Sequence, residues 1–145
     1  MHPKFQQYIE GREGKESLRL RVSSDEKAKL NDMLRVEGGN ITELLVEGIW
    51  RVVVSRQSSS GQIVSPVVRP KQSKDEALNI RLSNTETAAL STIAIEEACP
   101  LGDLVGEGVW HVFVDRQQNK GYQAKAARIL SLLNEVETTR ATLHE

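Results

Sequence analysis

The chain has 145 residues, 39% hydrophobic and 27% charged, with 19 basic against 20 acidic side chains and a formal net charge of −1. Such proportions suit one compact globular domain or two interlocked halves, and they exclude the strongly basic balance from which nucleic-acid binding is read directly; a positive surface must come from placement. No apolar run is long enough for a membrane span, the first residues lack the apolar core of a secretory signal, and the single cysteine, Cys99, rules out an intrachain disulfide, so a cytoplasmic location is expected.

Residues 1–15 are polar, contain Gly11 and Gly14, and read as a flexible N-terminal arm. Leu18-Arg19-Leu20-Arg21-Val22 then alternates apolar and polar, the period of a half-buried strand. Leu18, Leu20 and Val22 share one face, and Ser17, Arg19 and Arg21 the other. Ser23 is a helix N-cap, and Glu26 closes a capping box at the third helical position. The helix that follows carries Leu30, Met33 and Leu34 on one face and stops at Gly38-Gly39. Asn40 caps a second helix, with Glu43 at its third position and Ile41, Leu44, Leu45, Gly48, Ile49, Val52 and Val53 on its buried side. That helix fades near Gln57.

Residues 58–75 form a linker with Pro66 and Pro70, carrying Arg69, Lys71 and Lys74 before its first acid, Asp75. The three cations could touch a DNA backbone, but a solvated linker face is the favoured reading. From residue 76 the grammar repeats. Residues 16–57 and 76–117 align without a gap at an offset of 60, with 16 of 42 positions identical. The second strand is Leu78-Asn79-Ile80-Arg81-Leu82, with Ala77, Asn79 and Arg81 on its outer face. Ser83 and Glu86 make its capping box, Cys99-Pro100 breaks its first helix, and its second carries Leu101, Leu104, Val105, Gly108, Val109, Val112 and Phe113. Gly48 and Gly108 each cost about 1 kcal/mol in a helix interior, so their recurrence at matched positions points to a close helix–helix approach. Residues 118–145 form a C-terminal amphipathic helix, with Ile129, Leu132, Leu133 and Val136 at helical spacing; it either covers the core or joins two molecules.

A unit of one short strand and two helices, about 40 residues, cannot satisfy its strand edges or cover its apolar faces alone. Two copies instead of the three or more of a solenoid suggest a fused dimer. Paired about a dyad, the strands make a two-stranded antiparallel ribbon over four helices; about 18 linker residues reach up to roughly 60 Å.

The run from Leu18 to Glu26 with Leu30, followed by Glu37-Gly38-Gly39-Asn40-Ile41-Thr42-Glu43-Leu44-Leu45, resembles the ribbon-helix-helix superfamily of Arc- and MetJ-like DNA-binding proteins. The second copy looks like the same module with a degraded interhelix turn. Together they cover roughly 80 of the 145 residues. The tandem form resembles accessory proteins of plasmid conjugation. The resemblance implies a mainly α fold with a two-stranded antiparallel ribbon: a tandem ribbon-helix-helix pseudo-dimer. It also implies a sequence-specific double-stranded DNA-binding function, with the ribbon in the major groove. By position, Ser17, Arg19, Arg21, Ala77, Asn79 and Arg81 would face bases. Arginine suits guanine O6/N7, and asparagine suits adenine N6/N7. Phosphate anchoring would fall to Asn40, Ile41 and Thr42 at the second helix's N-terminus and to Leu101 and Gly102 in copy two. Pro100 lacks an N–H there and Gly102 lacks the hydroxyl of Thr42, so the second anchor is expected to be weak.

Within this class, a plasmid or conjugative-transfer accessory factor leads, partnered by relaxosome proteins, ahead of a transcriptional repressor and an antitoxin-type autorepressor. The alternative from another class is a protein–protein adaptor that has lost DNA binding. Trp50 and Trp110, midway along apolar helices, read as packing residues. His2, His111 and His144 show no metal-ligand spacing, Cys99 reads as an inert thiol, and no catalytic grouping stands out, so neither enzyme activity nor a cofactor is expected.

Overall fold

The computed structural model describes residues 16–58 and 67–143. The expected arm at 1–15 and linker residues 59–66 lie outside them. In chain order the elements are β1 (Glu16–Val22), α1 (Ser24–Glu37), α2 (Ile41–Ser58), β2 (Glu76–Leu82), α3 (Asn84–Glu97), α4 (Leu101–Gln118) and α5 (Lys120–Leu143). The fold is mainly helical with a single two-stranded sheet among the described residues.

Local chemistry fixes each element. Leu20, Val22, Ile80 and Leu82 are buried on the inner face of the strands, while their alternating neighbours turn outward. Both capping boxes are formed. The Ser23 hydroxyl accepts the Glu26 N–H at 3.0 Å while the Glu26 carboxylate accepts the Ser23 N–H at 2.8 Å, and Ser83 and Glu86 repeat this at 3.2 and 3.0 Å. Gly38 and Gly39 end α1 with φ of 77° and 83°, a region glycine enters without a Cβ penalty. At the matching turn Ala98 ends its helix in the left-handed region, φ 52° and ψ 49°, where Gly38 has ψ of −170°, so copy two stops by a different backbone turn and with a residue that resists it.

The strands pair antiparallel in a register that sets Arg19 against Asn79. Those two positions are each other's counterparts in the repeat, so the ribbon is centred on an approximate two-fold. The helices obey the same relation. A Cβ added to Gly48 would meet the Gly108 backbone at 2.6 Å, and one added to Gly108 would meet Gly48 equally closely. Thus α2 and α4 cross with their backbones almost touching, as expected from the recurring glycines. Leu45, Ile49, Val105, Val109 and Val112 close the core around the crossing. The halves interlock: α4 packs on β1, α2 on β2, and α2 also on α3.

Ion pairs are exchanged between the copies as well. Arg116 of copy two binds Glu37 and, at 2.7 Å, Glu47 of copy one; its counterpart Arg56 binds Glu97 and Glu107 of copy two, each at 2.7 Å. Glu47 is fully buried. Burial alone would raise its pKa, but the Arg116 guanidinium, helped by Arg51, holds the carboxyl below the usual range.

Helix α5 continues from α4 and packs its first turns on α1 and α4 through Tyr122. Beyond Ile129 it leaves the body. Leu132 is 54% and Val136 55% exposed, with Leu130 and Leu133 little less, so this stretch does not cover the core. Among the described residues, no helix is long and apolar enough to cross a membrane.

Candidate nucleic-acid interface

The outer face of the ribbon brings Ser17, Arg19, Arg21, Ala77, Asn79 and Arg81 together as three cross-strand rungs: Ser17 with Arg81, Arg19 with Asn79, and Arg21 with Ala77. All are exposed except Ala77, which is half-buried. Every rung holds one arginine. Directly opposed like charges destabilise a strand pair, so this arrangement concentrates three cations without setting any two face to face. The central rung explains why the copies differ there. A residue on the two-fold faces its own counterpart, and an identical pair would oppose arginine to arginine. Asn79 removes that conflict.

Arg21 is not wholly turned to solvent. Its guanidinium donates to the Lys74 carbonyl oxygen at 3.1 Å, and its own carbonyl accepts from Arg69 at 2.7 Å.

The expected anchors lie at unlike helix starts. Asn40 accepts the Glu43 N–H at 3.0 Å through its side-chain oxygen, so it caps α2 as expected. Ile41 and Thr42 are half-buried behind it. The Glu43 carboxylate accepts from the Asn40 amide at 3.3 Å and meets part of the positive end of the helix dipole internally. In copy two, Pro100 stands at the cap with no side-chain hydrogen bond, and the Asp103 N–H turns back to the Pro100 carbonyl at 3.1 Å. Leu101 is half-buried, and Gly102 has open space where a side chain would be.

The linker corrects one sequence reading. Arg69 is not a solvated cation. Its Nε and Nη2 hold the buried Glu26 carboxylate at 2.8 and 2.9 Å, and its guanidinium fills the notch left by Gly106, where an added Cβ would lie 2.2 Å from Nη1. The Trp110 indole N–H donates to the same carboxylate at 2.6 Å. Burial pushes the Glu26 pKa up, but Arg69, the Ser23 N–H and the indole outweigh it and bring the carboxyl down to about 2. Gln72 adds a 2.8 Å bond to the Ser23 hydroxyl. Residues 67–75 therefore form a pinned strap running past the first turns of α4 into β2. One sequence signal bears on it: Gly106 stands mid-helix where copy one has Val46.

Trp110 packs edge-on to Phe113 at 5.0 Å with the Lys29 ammonium over its ring at 4.6 Å, and Trp50 is buried, so both indoles are packing residues. Among the described residues no His, Cys, Asp and Glu cluster has the grouping to hold a metal ion. Compared with family models, curated proteins and solved structures, the chain finds no match.

Proposed function

We propose that the chain is a sequence-specific double-stranded DNA-binding protein, a tandem ribbon-helix-helix pseudo-dimer that inserts its ribbon into the major groove. The observation that carries this reading is the three-rung outer face, with one arginine per rung and Asn79 at the centre. A two-stranded ribbon fits the major groove, and these side chains match the donor and acceptor patterns of guanine and adenine. The rungs differ on either side of the centre, so the target is asymmetric or an imperfect palindrome. The biological setting we propose is plasmid or conjugative transfer, with repression of its own operon as the related role.

The test is binding to duplex DNA flanking the protein's own coding region at two salt concentrations. Affinity should fall steeply with salt as phosphate contacts release counterions. Arg19→Ala with Arg21→Ala should abolish preference for the cognate site and leave the melting temperature nearly unchanged. Absence of salt-dependent binding to any duplex would overturn the proposal. It would favour the second reading, a protein–protein adaptor, for which the net charge of −1 and the degraded start of α4 speak.

A further inference from the structure

Resting on that reading, we infer that Lys71 and Lys74 of the strap form the DNA phosphate contact on the copy-two side, replacing the anchor that the α4 N-terminus has lost. The strap and the first turns of α4 line one surface cavity, walled by Arg69, Pro70, Lys71, Lys74, Asp103 and Glu107. Its charges do not cancel. Arg69 is committed to Glu26, and Glu107 to Arg56 at 2.7 Å and His111 at 3.2 Å. Two exposed ammonium groups remain against the single carboxylate of Asp103.

Position favours the same role. The Lys74 carbonyl lies 3.1 Å from the guanidinium of Arg21, an outer-face residue of the ribbon, and Asp75 leads directly into β2. A phosphate beside the groove occupied by the ribbon would lie on this flank. The lysines are also presented by a fixed support. Arg69 and Gln72 tie the strap to Glu26 and Ser23 on either side of Lys71, so the backbone that carries the cations is already ordered and binding has only the lysine side chains left to fix. On the copy-one side the α2 start supplies its own cap and N–H groups. The two flanks thus grip the backbone by different chemistry: helix amides on one, side-chain ammonium groups on the other.

The experiment is a salt titration of duplex binding by the full chain and by Lys71→Gln with Lys74→Gln. Each phosphate contact contributes about 0.9 to the slope of log K against log salt. The double variant should be shallower by about 1.8 and weakened equally on cognate and unrelated duplexes, with unchanged base preference. Lys71→Arg with Lys74→Arg should keep the parent slope. If the parent binds and the glutamine variant keeps its slope, the strap contact is overturned while the ribbon reading stands. If the parent binds no duplex, both fall.

Discussion

Gly48→Ala probes the crossing on which the interlocked halves depend. The new methyl would sit 2.6 Å from both the carbonyl carbon and oxygen of Gly108, whereas ordinary contact begins near 3.4 Å. The helices must separate by about 0.8 Å, and the obstacle is backbone, which has no rotamer to change. Overpacking of this kind costs about 1–3 kcal/mol, occasionally more, against about 1 kcal/mol gained from alanine's better helix propensity. The shift also loosens Leu45, Ile49, Val105 and Val109, which pack around the crossing. With backbone as the obstacle the upper end of that range applies, so about 3 kcal/mol lost against about 1 gained leaves a net loss of about 2 kcal/mol, or a melting temperature lower by about 4–8 °C for a chain of this size. Urea unfolding and thermal melts followed by circular dichroism would measure it. Gly102→Ala is the control: no atom lies within 4 Å of the added Cβ, so stability should be unchanged or slightly higher. A Gly48→Ala protein within about 0.5 kcal/mol of the parent would refute the claim that backbone contact sets this crossing.

Glu26→Gln should destabilise the protein at neutral pH by on the order of 3 kcal/mol, the equivalent of a carboxyl held at about 2 instead of 4.5. Because the folded pKa is depressed, that contribution is present above pH 4.5 and lost as pH falls toward about 2; urea unfolding across this window should show the deficit closing, and a constant deficit would contradict the assignment. Arg116→Met should cost on the order of 3 kcal/mol, because it takes the main partner from buried Glu47, whereas Arg56→Met should cost on the order of 1 kcal/mol, its side chain being 26% exposed against 5%. Equal losses in chemical denaturation would contradict that ranking. Asn79→Arg should set two arginines face to face at the centre of the ribbon and cost about 0.2–1 kcal/mol. With Ala77→Ser it makes the outer faces identical, so site selection from random duplexes should move toward perfect palindromes.

Much of the fold was legible because its signals are local. The alternation from Leu18 to Val22 marks a strand whatever surrounds it, and Ser23 with Glu26 specifies a helix start within four residues. Gly48 and Gly108 were informative because the repeat allowed one helix to be compared with the other. Arg69 was not legible, because its partner Glu26 lies 43 positions away and no periodicity links a coil residue to a helix cap. Nor did the repeat reveal that Arg56 and Arg116 reach across to the opposite copy. Their presence in both copies is equally compatible with pairing inside each one. The six outer-face residues could be named from the strand period, but their rungs depend on the register. Only the pairing of Arg19 with Asn79 gives each arginine an uncharged neighbour.

Both strands of the ribbon belong to one polypeptide, and this changes the order of the assembly reaction. A ribbon shared by two separate chains dissolves on dilution, with a midpoint set by total protein. Here separation of the halves is unimolecular. The pairing of β1 with β2 does not itself depend on protein concentration, and a lone molecule carries both strands of the ribbon.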